Sequence, residues 1–192
     1  MKSTPAYIQP FLEAAQKYVQ RALADAGVKD IELDGSEASL AYVDHYVRIA
    51  GIAQSSGINE EKMESLIALV APALAAYFGE IAIAKLGGHW ETSTGDAADQ
   101  LEPLNWRIVL GSGGLSFSPV GMAAAALAEG DVDGFDSSFT VRRDLMEQLE
   151  EALSTAPPVD QAYYYSFTGR LETLAQVSDV LVELDRRKGE QN

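Results

Sequence analysis

From Leu66 to Ala84 the chain is almost wholly apolar, interrupted by Pro72, Gly79 and Glu80. A bilayer span needs about 20 apolar residues, so the segment nearly reaches that length. A carboxylate near the centre of a span costs a few kcal/mol even on lenient insertion scales. The segment therefore predicts a helix buried inside a protein core. Around so apolar a helix the rest of the chain has to supply covering faces, and its periodicities describe how.

Thr4 can cap a first helix, with Pro5 in its first turn. Ile8, Phe11, Leu12, Ala15, Tyr18, Val19, Ala22 and Leu23 would lie on one face and Gly27 would end it. A short extended piece at Ile31 to Leu33 leads to Ser36, the expected cap of a second helix. That helix would bury Leu40, Val43, Val47 and Ala50 and stop at Gly51. Asn59, Glu60 and Glu61 place a cap and two acids at the positive end of the third helix, which Pro72 should kink or divide.

Past Gly87 and Gly88 the period changes from 3.6 to 2. Leu104, Trp106, Ile108 and Leu110 alternate with polar or outward residues, and Leu115 and Phe117 continue the alternation after Gly111-Ser112-Gly113-Gly114. This is a hairpin over about 104–118, and His89 to Thr92 offers a third strand. Ser118 and Pro119 open an alanine-rich helix ending near Gly130. Thr140 is the expected cap of a helix burying Val141, Leu145, Leu149 and Ala152. Asp160 should cap one final helix with Phe167, Leu171, Leu174, Val177, Leu181 and Leu184 inward. The expected fold is α+β, predominantly helical with a small antiparallel sheet of two to three strands, in one domain over 1–192.

The chain carries 29 acids against 14 bases, a net charge of −15. A surface of that sign repels phosphate backbones, which argues against direct nucleic-acid binding and favours a basic protein as partner. Between Lys85 and Arg142 the one base, Arg107, faces Glu91, Asp96, Asp99, Glu102, Glu129, Asp131, Asp133 and Asp136. With no cysteine, thiolate metal sites, disulfides and cysteine nucleophiles are ruled out. The first residues lack the apolar stretch of a signal peptide, so cytoplasmic residence is the expectation.

Several segments approach catalytic or ligand-binding motifs and depart from them. Glu129, Asp131, Asp133 and Gly134 match positions one, three, five and six of a calcium loop, but position twelve is Thr140 where a bidentate Glu belongs. Gly111 to Gly114 lacks the lysine and hydroxyl residue of a phosphate loop. Gly114-Leu115-Ser116-Phe117-Ser118 lacks the last glycine of a nucleophile elbow, and only His45 and His89 are available as bases. No cofactor, metal or catalytic residue is assigned. Glu80 should meet a structural partner, either Arg107 as an ion pair or the Tyr77 hydroxyl. Tyr163, Tyr164 and Tyr165 are consecutive, so at least one is expected on the surface, where tyrosines with Trp90 can form a protein-binding patch.

Tyr77-Phe78-Gly79-Glu80, Gly87-Gly88-His89-Trp90, Phe117-Ser118-Pro119-Val120 and Glu129-Gly130-Asp131 together resemble an uncharacterised bacterial domain family, some of whose relatives look like immunity-type proteins. The resemblance covers roughly residues 36–137. It implies a helical protein with a small sheet, Gly79-Glu80 packing near the Trp90 strand, and no established active site. The functional expectation is a non-enzymatic, intracellular, acidic protein of immunity or inhibitor type that masks a basic partner. Its contact residues would come from Asp96, Asp99, Glu102, Glu129, Asp131, Asp133, Asp136, Tyr163 and Tyr164. The alternatives are an enzyme using Glu80 or the Asp131 to Asp136 cluster with a divalent cation, and a scaffolding protein.

Overall fold

The first helix, α1 (Gln9–Asp25), turns Ala15, Val19 and Leu23 into the core. It starts one turn later than Thr4 and Pro5 predict, and Pro10 occupies its first turn. Thr4 is engaged elsewhere, because its hydroxyl donates to the Glu80 carboxylate. Gly27, at φ +85, ends the helix as expected, and the Val28 amide donates back to the Leu23 carbonyl at 2.9 Å. These and the following elements come from a computed structural model that describes residues 4–55, 60–93, 95, 97–111, 114–154, 157 and 159–190. Asn59, Asp96, Ser112, Gly113 and Pro158 lie outside the described residues.

After a single 3-10 turn at Glu37–Ser39, α2 spans Leu40–Ser55 and runs through Gly51, which was expected to stop it. α3 (Glu60–Leu86) also passes Pro72 undivided. Ala71 to Gly79 are all buried, so tertiary contacts with α1 and with α4 (Pro119–Ala128) hold the turn that proline weakens. α3 is long and apolar enough to cross a membrane, and 72% of its most apolar window is buried within the fold.

Among the described residues the sheet is antiparallel and has four strands in the order β1 (Gly88–Thr92), β2 (Trp106–Leu110), β3 (Leu115–Phe117) and β4 (Phe139–Val141). One face buries Trp106, Ile108, Leu110, Leu115 and Phe117, which agrees with the alternation in the sequence. The fourth strand corrects the expected count of two to three. Thr140 pairs with Ser116 in β4 instead of capping a helix, and α5 (Met146–Leu153) begins after a 3-10 turn at Arg143–Leu145. Three residues are too short to display a period of 2. Leu104 also leaves the strand: it sits in a 3-10 turn, 58% exposed, because Pro103 has no N–H for a ladder.

Ser118 caps α4 as expected, its hydroxyl oxygen accepting from the Gly121 amide at 3.2 Å, and Pro119 to Leu127 are buried throughout. The expected final helix is two helices, α6 (Gln161–Tyr165) and α7 (Phe167–Glu190), parted at Ser166 with extended backbone. Asp160 caps α6, accepting from the Ala162 and Tyr163 amides. α7 is capped twice: the Ser166 hydroxyl accepts from the Gly169 amide at 3.0 Å, and from far along the chain Asp44 accepts from the Phe167 amide at 2.7 Å, the Thr168 amide at 3.2 Å and the Thr168 hydroxyl at 2.6 Å. Phe167, Leu171, Leu174, Val177 and Leu181 then face inward as the spacing predicts. Val141, Leu145 and Leu149 are buried as well, whereas Ala152 is exposed. Buried residues from Ile8 to Leu181 join in one hydrophobic cluster.

The Asp44 cap yields a test. Charge-assisted hydrogen bonds to a helix N-terminus are strong, and losing a cap typically costs about 1–2 kcal/mol. Asp44→Ala is expected to reach at least the upper part of that range, about 2 kcal/mol, since it leaves two amides and a hydroxyl unpartnered. Equilibrium urea denaturation checks it. A cost under about 0.5 kcal/mol would show that water satisfies the start of α7 equally well.

Candidate functional site

The acidic loop, residues 130–138, leaves α4 through Glu129, which adopts the left-handed conformation at φ 51 and ψ 34. Only glycine and, less often, asparagine take this cap position without strain. The loop then lies back against the start of α4. A β-carbon added to Gly121 would fall 1.7 Å from the Asp136 carbonyl oxygen, so the absence of a side chain there is what admits the loop. Short polar contacts shape the loop itself. Ser137 donates its hydroxyl to Asp131 at 2.7 Å, and Asp136 accepts from the Ser138 hydroxyl at 2.6 Å and amide at 3.0 Å. The Ser138 hydrogen bonds, aided by the charge of Arg107, hold the Asp136 carboxyl below its usual pKa.

Across a cavity of about 330 Å3 the loop faces α6. Asp131 and Asp136 line one side with Ser137 and Ser138, and Tyr164 and Tyr165 line the other. Tyr163 and Tyr164 are exposed, as expected for at least one of the consecutive tyrosines. The Tyr163 hydroxyl is hydrogen-bonded to Glu172. That bond, followed by partial desolvation and the charges of Glu172 and Asp44, pushes its pKa up to about 12. Gln161 ties the two parts together by donating to the Glu129 carbonyl at 3.3 Å.

Behind the tyrosines is a residue the sequence reading did not single out. Arg170 is 2% exposed, and its guanidinium carbon lies 4.2 Å from the Tyr164 ring centroid and 5.1 Å from that of Tyr165. The ring faces supply the attraction that ion partners normally give, and Nε and Nη2 have no hydrogen-bond partner among the described residues. No local pattern could have revealed it, because an arginine on an amphipathic helix is ordinarily solvated.

The structure brings Asp131, Asp136 and Tyr164 together around this cavity, with Glu129 at the C-terminal cap of α4 where the loop begins and Tyr163 beside Tyr164 in α6. Asp133 is exposed in the same loop. Asp99 is set apart in a 3-10 turn at Ala97–Leu101, where its carboxylate accepts from the Asn105 amide at 3.2 Å, and Glu102 is exposed beside it. Asp96 lies outside the described residues.

Glu80 has partners, but neither of those expected. It accepts from the Trp90 indole N–H at 2.7 Å and from the Thr4 hydroxyl. Arg107 sits in β2 opposite Glu91, next to Trp106 and Ile108, which point into the core, so alternation turns its side chain to the other sheet face. The Tyr77 hydroxyl instead meets Ser39 at 2.6 Å and the Gly35 amide at 3.0 Å. Trp90 is half-buried, with its ring edge-on to Trp106 at 5.9 Å, so it serves the core beneath β1. Gly79 makes room for it, since a β-carbon there would lie 2.5 Å from the indole.

The near-motifs resolve into structural roles. Ser116 and His89 share one sheet face but are separated by two strand spacings, about 10 Å, too far for a nucleophile and its base. His89 is engaged with Glu91 at 2.8 Å. Thr140, at the closing position of the calcium-loop pattern, is in β4, and no group of three or more His, Asp or Glu side chains is placed to hold a metal among the described residues. Comparison of the chain with protein-family models, with curated proteins and with solved structures finds no match.

Proposed function

We propose that the protein is a non-enzymatic, intracellular binding protein of inhibitor or immunity type, which docks a basic protein against the acidic loop and the tyrosines of α6. The observation that carries this reading is the cavity where Asp131 and Asp136 face Tyr164 and Tyr165. Tyrosines offer large, stiff contact area with a polar tip, which suits the centre of an interface. Carboxylates beside them orient a basic surface and accelerate its approach. The net charge of −15 extends that field over the molecule. Arg170, held under Tyr164 and Tyr165, keeps both rings in place before a partner arrives, and preorganised side chains lose less entropy on binding.

The test uses a basic protein captured from lysate of the source organism on the purified chain, then purified and titrated against it. Lysine at Asp131, Asp133 and Asp136 together is expected to weaken the complex roughly tenfold or more and to reduce the salt dependence of association. The melting temperature of the triple variant checks that the fold survives. Unchanged affinity in a folded triple variant would remove the loop from the interface.

A further inference from the structure

A second cavity, of about 350 Å3, opens on the other side of Tyr165, between α2, the end of α4 and the junction of α6 with α7. That volume is at the lower end for small-molecule sites, which span about 300–1,000 Å3. Its walls combine an apolar lining with two opposite charges. Ala41, Val47, Ala126 and Ala162 supply the lining with Tyr163 and Tyr165, while Arg48 stands on α2 and Glu129 at the C-terminal cap of α4. Neither the Arg48 guanidinium nor the Glu129 carboxylate has a hydrogen-bond or ion-pair partner among the described residues. Asp44, also in the wall, is already committed to α7 through three donors. Glu129 is one of two non-glycine residues at positive φ among those described, and strained backbone of this kind is concentrated at functional sites.

The geometry points to this cleft as a binding site for a small neutral α-amino acid, whose carboxylate pairs with Arg48 and whose ammonium pairs with Glu129, while its side chain rests on the alanines and Val47. Arginine presents a planar fork that matches a carboxylate, and Glu129 is the open carboxylate for the ammonium. A small aliphatic side chain suits the alanines and Val47, which leave room beside the Tyr163 and Tyr165 side chains. This activity goes beyond protein docking; Arg48 lies on α2, outside the acidic loop and α6, although Tyr163 and Tyr165 of α6 line the same cleft.

Thermal unfolding of the full chain with increasing L-alanine, L-valine and L-leucine tests the proposal, since a ligand of the native state raises Tm with its concentration. The expected result is a rise with at least one of the three. Its amide, which lacks the carboxylate, and its N-acetyl derivative, which lacks the ammonium, should give none. Arg48→Gln, at an exposed position, should weaken binding roughly tenfold with Tm of the free protein unchanged. Ala162→Leu, also exposed and helical, should block the cleft. No shift with any of the three amino acids, equal shifts with the amide and acetyl derivatives, or full binding by Arg48→Gln would each overturn the assignment. Arg48→Gln should still bind the basic partner, which separates failure of the cleft from failure of the docking surface.

Discussion

Phe78→Ala is expected to lower the free energy of unfolding by about 4 kcal/mol, within the range for deleting a fully buried phenylalanine. The ring is 0% exposed, 5.9 Å from Phe117 in β3 and 5.3 Å from Phe167 at the start of α7. It is therefore the point where the central helix, the sheet and the last helix meet. Removing it leaves a cavity that three different elements would have to close, and they are tied by the ladder and by the Asp44 cap. Against a typical total of about 5–15 kcal/mol, such a loss is large enough to appear as a marked shift of the urea midpoint at unchanged slope. A cost below about 1.5 kcal/mol would mean that the core collapses onto the site, so that Phe78 is not the joint between these elements.

The second large effect reverses an ordinary rule. Glycine to alanine inside a helix normally stabilises by about 0.5–1 kcal/mol, because alanine loses less backbone entropy. Gly121→Ala in α4 is expected to destabilise by about 3 kcal/mol instead, at the upper end for overpacking. The added β-carbon would sit 1.7 Å from the Asp136 carbonyl oxygen and 2.4 Å from its carbon, and both are backbone atoms with no rotamer to escape into. Either α4 shifts or the acidic loop lifts away. In the second case the carboxylates no longer face Tyr164 and Tyr165, so affinity for the basic partner should fall together with Tm. A stabilised Gly121→Ala variant with intact binding would show that the loop does not rest on α4.

What could be read from the chain divides along the range of the forces involved. The amphipathic stripes of α1, α2 and α7, the alternation of Trp106, Ile108 and Leu110, and the Ser118 and Asp160 caps act within one or two turns, and the structure agrees with each. The errors have longer-range causes. Pro72 looked like a break because local propensity ignores the packing that holds α3 through it, and α2 likewise continues through Gly51. Thr140 resembled a cap because three residues show no period, and its strand exists only through pairing with β3. The last helix looked continuous because its apolar spacing carries across Ser166, although the Ser166 hydroxyl, which accepts from the Gly169 amide at 3.0 Å, is a local cap; the rest of the cap comes from Asp44, 123 residues away along the chain.

The candidate surface follows the same division. Acidic residues clustered in sequence and consecutive tyrosines that cannot all be buried were visible beforehand, since charge and side-chain direction are local properties. That the Asp131 to Asp136 loop faces those tyrosines, that Arg170 lies beneath them, and that Arg48 and Glu129 border one cleft depend on helices meeting across long sequence separations. The sequence by itself determined that an apolar helix had to be wrapped and which faces could wrap it, because burial follows composition and period. Only the tertiary structure decided which carboxylate meets which donor. A hydrogen bond requires atoms within about 3 Å in the right direction, and no one-dimensional pattern carries that distance.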